Sequence, residues 1–98
     1  MRFRLNGLSE RIEISGRDLK TVENTFDLVI ANIVHDILLE LSGDLARVTG
    51  DDGYLLPSGL IDGEQSDNIH RCFKTKGFQL VEKRTDGQWC ALLFEKAG

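Results

Sequence analysis

Few side chains in this 98-residue chain stand where chemistry could be done, and Asn32 is the first of them. It closes the run Phe26-Asp27-Leu28-Val29-Ile30-Ala31-Asn32, just before a helical pattern begins. In open α/β sheets, ligands bind outside the carboxyl ends of the strands. An amide placed there can accept from an amine through its oxygen and donate through its NH₂. The same placement suits an N-cap for the following helix, and spacing alone leaves both roles open. Asp18, in the loop Gly16-Arg17-Asp18-Leu19, could accept from a ligand's amino group or serve as a solvated turn carboxylate.

The other chemical groups are scattered. His35 and His70 are isolated, and His70-x-Cys72 has no second ligand pair, so no metal site is expected. Cys72 and Cys90 form no CxxC pair and read as thiols of a reducing compartment, Cys90 lying beside Trp89 in a strand. The chain has no GxSxG, Walker A, HExxH or GxGxxG motif.

Composition narrows the class. Hydrophobic residues at 41% and charged residues at 29% are ordinary for a folded, soluble chain. A net charge of −4 argues against direct nucleic-acid binding. The polar N-terminus does not read as a signal peptide. No apolar run approaches the roughly 18 residues of a membrane helix. A cytoplasmic protein without a membrane partner is expected.

The elements that must position Asn32 follow from periodicity. Asn6-Gly7 is a natural helix stop, yet nothing before it opens a helix, so the chain reads as a fragment. Arg11–Ser15 alternates and suggests a short strand. Leu28 to Ala31 is a continuous apolar run, which fits a parallel strand covered on both faces. Val34, Ile37, Leu38, Leu41, Leu45 and Val48 then form one stripe on a single helix of about four turns, weakened at Gly43 and ended at Gly50. Asp51-Asp52-Gly53 reads as a turn. Tyr54-Leu55-Leu56 reads as a strand that ends or bulges at Pro57, followed by a loop from Ser58 to Gly63. Glu64–Lys76 is a helix with acids at its start and bases at its end, closed by Gly77. Phe78–Arg84 and Gln88–Glu95 flank Asp86-Gly87 as a hairpin. The fold class is therefore α/β, with a mainly parallel sheet and an antiparallel C-terminal hairpin.

With these residues set out, the chain resembles the second half of a class I S-adenosylmethionine-dependent methyltransferase. Within that class it resembles the bacterial enzymes that methylate ribosomal protein L-eleven, the PrmA family. The resembling segments are Leu5-Asn6-Gly7, Gly16-Arg17-Asp18-Leu19, Phe26-Asp27-Leu28-Val29-Ile30-Ala31-Asn32-Ile33, Leu56-Pro57-Ser58-Gly59-Leu60-Ile61 and Gly87-Gln88-Trp89-Cys90-Ala91-Leu92. The resemblance implies a Rossmann-like sheet of order 3-2-1-4-5-7-6, of which this chain supplies strands 3 to 7. The first two strands and the glycine-rich loop are missing.

By position, Asp18 resembles the acid that contacts the cofactor's adenine. Asn32 resembles the residue beside the cofactor's methionine part and the incoming amine, and Ile33 would line the same pocket. The implied reaction is in-line methyl transfer from S-adenosylmethionine to lysine and N-terminal amines of a ribosomal protein. That chemistry asks the protein to position a neutral amine and exclude water.

Residues 1–98 are then the C-terminal part of one catalytic domain, with a core over 26–98 and a segment 1–25 that can rearrange. Without strands 1 and 2, Phe26–Asn32 is expected to be an open edge through which two copies could pair. Cofactor binding by the chain alone is not expected. The chain reads as an inactive fragment of the enzyme or, alternatively, as a non-catalytic structural or dimerising module.

Overall fold

Strand β1 (Arg11–Ile14) lies parallel to β2 (Phe26–Asn32) in a computed structural model that describes residues 10–14 and 19–97. The sequence readings at Asn6-Gly7, Ser15 and Asp18 lie outside those described residues. Between the two strands, Leu19 is fully buried and opens a short 3-10 turn, Leu19–Thr21. After β2 come α1 (His35–Glu40), α2 (Ser42–Val48), β3 (Thr49–Ser58) and a two-residue strand, β4 (Leu60–Ile61). Helix α3 (Glu64–Lys74) and the hairpin β5 (Phe78–Asp86) and β6 (Trp89–Lys96) complete the described chain. Among these residues no helix is long and apolar enough to cross a membrane.

The six strands form one sheet in the order β1-β2-β3-β6-β4, with β5 on the other edge of β6. Strands β1, β2 and β3 run parallel, and β6 is antiparallel to β3, β4 and β5. The sequence β2-β3-β6-β5 follows the 4-5-7-6 part of the expected order. The departure is at β1. It pairs Arg11 to Ile14 with Leu28 to Ala31, and the Glu10 carbonyl accepts from the N–H groups of Asp27 (2.8 Å) and Leu28 (3.2 Å). The expectation of an exposed Phe26–Asn32 edge is therefore wrong for this chain. The backbone groups of β2 must be paired when buried, and β1 supplies those pairs from within the same molecule.

Side-chain alternation sorts the sheet into two faces. Ile12, Ile14, Val29, Ala31, Leu55, Leu60, Cys90, Leu92 and Phe94 face one side, where they join Leu38, Leu45, Val48, Ile69 and Phe73 from the helices in one core. All three described helices pack there. The opposite face carries Glu13, Ile30, Asn32, Leu56, Ser58, Ile61 and Trp89. Cover on both faces was expected for β2. Among the described residues, helices cover only one, and Ile30 is half-buried where Val29 and Ala31 are fully buried. Phe73 of α3 packs edge-on to Phe78, with ring centroids 5.5 Å apart, and lies 5.6 Å from Phe94. Aromatic pairs at such spacings add about 0.5–1.5 kcal/mol beyond the area they bury.

Two other differences have local causes. The single expected helix is broken at Leu41, where φ and ψ are −89° and 3°. Ser42 Oγ donates back to the Leu39 carbonyl (2.8 Å), a bond that competes with the helical ladder and bends it. Val34 and Ile37 stay exposed while Leu38, Leu45 and Val48 are buried.

The expected turn at Asp51-Asp52-Gly53 survives as a bulge inside β3. The register jumps from Phe26–Thr49 to Leu28–Tyr54, and Asp52 takes a φ of 62°. Pro57 stays within the strand, because the β3–β6 pairs stop at Leu55–Phe94 and its missing N–H removes no bond to β6. Strand β4 lay in an expected loop; its two pairs with β6 are visible only in three dimensions.

Gly53 is the tightest point of the bulge. An added Cβ would stand 2.8 Å from the Gly50 carbonyl oxygen and 3.1 Å and 3.2 Å from those of Phe26 and Asp27. All three are backbone atoms that cannot swing aside. Gly53→Ala is expected to lower stability by about 1–3 kcal/mol, seen as a reduced urea midpoint at unchanged slope.

Candidate functional site

Asn32 ends β2 directly opposite Ser58, which ends β3. Both lie at the carboxyl end of the parallel strands, where this architecture places ligands. The two residues share a cleft of about 350 Å³ with Glu13 and Ile14 of β1 and Ile30 of β2. The N-cap alternative falls away, since Val34 is the N-cap of α1 and no side chain caps it. Asn32 is exposed, and while its backbone belongs to the β2–β3 ladder its side chain makes no hydrogen bond to another described residue. Its amide lies over Gly59, where an added Cβ would come within 2.9 Å of Oδ1. Gly59 also has a φ of +76°, so glycine is needed there for both space and backbone conformation.

The sequence-expected residues do not all meet here. Asn32 lines the cleft. Ile33 is half-buried, packs against the helix-side core and is not among the cleft's lining residues. Asp18 lies outside the described residues. Two polar cleft residues were not foreseen. Ser58 carried a usable signal, a hydroxyl closing a strand at the same end as Asn32. Glu13 carried none, because only the β1–β2 register (Glu13 opposite Ile30) brings its carboxylate to this cleft.

An apolar pair lies at the same end and on the same face. Ile61 of β4 is paired with Trp89 of β6, and the two are 42% and 48% exposed. Directly opposed residues on neighbouring antiparallel strands have their side chains on one face. Trp89 therefore shares the Asn32–Ser58 side of the sheet.

On the helix side, Lys83 Nζ meets Asp62 Oδ1 at 2.6 Å. The bond to Lys83 holds the Asp62 carboxyl below its ordinary range, and Asp62 in turn raises the Lys83 ammonium. Burial pushes the Cys90 thiol up, as suits a packed rather than a reactive sulfur. His35 meets Asp36 (2.9 Å), and His70 packs against the Phe94 ring at 6.0 Å. No metal-binding group of three or more ligands is found among the described residues.

The chain matches the family model described as "Ribosomal protein L11 methyltransferase (PrmA)" over residues 1–97. It is 38% identical over 91 residues to the ribosomal protein L11 methyltransferase of Desulfotalea psychrophila, covering 93% of this chain and 30% of that protein. The crystal structure of ribosomal protein L11 methylase from Lactobacillus delbrueckii subsp. bulgaricus superposes with a TM-score of 0.74 at 31% identity. That match covers 82% of this chain and 41% of the other. A methyltransferase from Pyrococcus furiosus, 20% identical with a TM-score of 0.62 over 79% of this chain and 44% of its own, shares the fold. The chain thus spans about a third of the length of the curated relatives it matches.

The Asp62–Lys83 pair makes a prediction about pH. A carboxylate whose pKa is lowered on folding contributes stability that is present above its unfolded pKa and lost as pH falls through the folded one. The stability difference between the parent chain and Lys83→Met is expected to be largest at neutral pH. It should shrink as Asp62 protonates below the ordinary carboxylate range, as read by thermal unfolding across a pH series.

Proposed function

The chain belongs to the ribosomal protein L11 methyltransferase family, and from that premise we propose that its complete protein is an S-adenosylmethionine-dependent methyltransferase acting on lysine and N-terminal amines of a ribosomal protein. The observation that carries this reading is the Asn32 amide, held over Gly59 beside Ser58 at the carboxyl end of the sheet with no hydrogen-bond partner among the described residues. The amide is exposed at the mouth of the cleft and is bonded to no other described side chain, so its oxygen and NH₂ can exchange water for a ligand.

In this role Asn32 Oδ1 accepts from an N–H of the neutral amine and turns its lone pair toward the methyl donor. Ser58 offers a second acceptor, and the Glu13 carboxylate favours a basic side chain entering the cleft. Ile61 and Trp89 form an apolar wall suited to the aliphatic stem of lysine and to excluding water. S-adenosylmethionine, when bound to the complete protein, supplies an already activated methyl group.

The described residues by themselves do not make a complete cofactor site. The cleft's volume lies at the small end of the about 300–1,000 Å³ of ligand sites. Among the described residues that line it none is aromatic, so none of them offers a ring face to adenine. Asp18 and Ile33 are proposed cofactor contacts in the complete protein, from the family resemblance rather than from this cleft. The chain by itself is read as an inactive part of the enzyme. A second reading, a non-catalytic module that keeps the fold, is favoured by β1, which closes the sheet from within the chain.

Two measurements test the proposal. Calorimetry of S-adenosylmethionine against this chain is expected to show no tight binding, and micromolar affinity would overturn the account of the incomplete site. In the complete protein, Asn32→Ala is expected to cost about 10²-fold or more in methyl transfer, as removal of a positioning contact does. Its stability should stay within about 0.5 kcal/mol, as for an exposed side chain. Unchanged turnover would remove Asn32 from its assigned role.

A further inference from the structure

Strand β4 is two residues long, and its pairing with β6 consists of Leu60–Cys90 and Ile61–Trp89. So short a margin of a sheet is drawn from the low-stability end of a fold and opens readily unless tied down. Ties are present. The Asp62 N–H donates to the Gln88 carbonyl (2.8 Å), and the Ile61 N–H donates to Gln65 Oε1 (3.0 Å). Gly63 N–H donates to Ser66 Oγ (3.0 Å), and Ser66 Oγ lies 3.4 Å from Asp62 Oδ1.

Lys83 adds a tie of a different kind. Strand β5 pairs with β6 through Thr85–Cys90 and Asp86–Trp89, while β4 pairs with the same two β6 residues. The two strands must therefore flank β6 on opposite edges. Lys83 belongs to β5 and Asp62 directly follows β4. Their 2.6 Å ion pair must cross β6, a span of about two strand spacings or roughly 10 Å. It crosses on the helix side, since Lys83 is paired with Leu92 of the core. Cys90 lies beneath, where both charges act on its thiol. The ion pair thus ties both neighbours of Trp89 together behind it.

We propose that the Asp62–Lys83 ion pair is a strap across β6 that holds the Ile61–Trp89 wall in place on the opposite face, so that Lys83 and Asp62 are positioning residues for the amine-binding side of the site. The functional half of this inference rests on the methyltransferase reading above; the structural half does not. A hydrogen bond could hold β4 alone, but a charge pair spanning three strands fixes β4, β5 and β6 relative to one another. Ile61 and Trp89 come from different strands, so their alignment depends on that relation.

Trp89 is the only tryptophan of the chain, so its emission reports on this wall alone. In the 98-residue chain, Lys83→Met and Asp62→Asn are expected to shift the emission to the red and raise its quenching by acrylamide, with far-UV circular dichroism unchanged. Lys83→Arg, which can still reach the carboxylate, should restore the parent spectrum. Unchanged emission and quenching in both Lys83→Met and Asp62→Asn would overturn the strap. If Lys83→Met fails to fold, Asp62→Asn read against Lys83→Arg decides the same question.

In the complete protein, Lys83→Met is expected to raise KM for the amine substrate by up to about fivefold with little change in kcat, the range an exposed ion pair can supply. A spectral shift with KM unmoved would confirm the strap and separate it from the site, overturning the positioning role. An unmoved spectrum would reject the strap whatever the kinetics.

Discussion

A buried strand cannot leave either of its rows of N–H and C=O groups unpaired, and β2 is the strand on which that constraint falls hardest. Its centre is too apolar to lie at a solvent edge, with Val29 and Ala31 fully buried. β3 satisfies one edge over Leu28 to Asn32. β1 satisfies the other over four residues, extended by the Glu10 carbonyl. An unmade backbone bond in that setting costs about 1–3 kcal/mol each, which offsets the about 1–2 kcal/mol lost per residue ordered, and burial of Ile12 and Ile14 adds to the gain. Pairing within the chain is therefore favoured over an open edge. The register it imposes puts Glu13 opposite Ile30 and leaves Asn32 at the strand's end.

From that register the two faces acquire separate tasks. One collects the apolar alternates of all six strands beneath α1, α2 and α3, and each fully buried Leu, Ile, Val or Phe there contributes about 1.5–3 kcal/mol by leaving water. Arg47 ties the Leu19 and Val22 carbonyls to α2, and Lys96 donates to the Ala46 and Thr49 carbonyls at the end of that helix. The other face carries Asn32, Ser58, Ile61 and Trp89 at one end of the sheet. The same face also buries Leu28, Ala91 and Leu93, so both sides of the sheet contribute to stability. Substitution of the exposed Asn32 need not disturb the core.

The hairpin, α3 and the two central strands were legible because each rests on a local signal: Asp86-Gly87, charge at the helix ends, and apolar runs bounded by turn residues. The break at Leu41 was not, since a stripe of apolar residues says nothing of a serine hydroxyl bonding back to Leu39. The bulge in β3 was half legible. The turn residues Asp51 to Gly53 were read correctly, while the continuation of the strand on both sides of them depends on β2 lying alongside. The edge at Phe26–Asn32 was misread because the family's strand order was carried over to a chain whose own β1 can take the vacant place.

Asn32 shows where the division lies. Residue order alone put an amide after a buried strand and before a helix, and the resemblance of the surrounding segments identified the family, because both depend on neighbours along the chain. Whether that amide caps the helix or faces a cleft was decided by the fold, which made Val34 the cap and Ser58 the neighbour. Glu13, Ile61 and Trp89 reach the same end of the sheet through strand register alone. Register is a relation between segments 17 to 28 positions apart in the pairs Glu13–Ile30 and Ile61–Trp89. Backbone hydrogen bonding between strands sets it, and no local pattern in either segment encodes it.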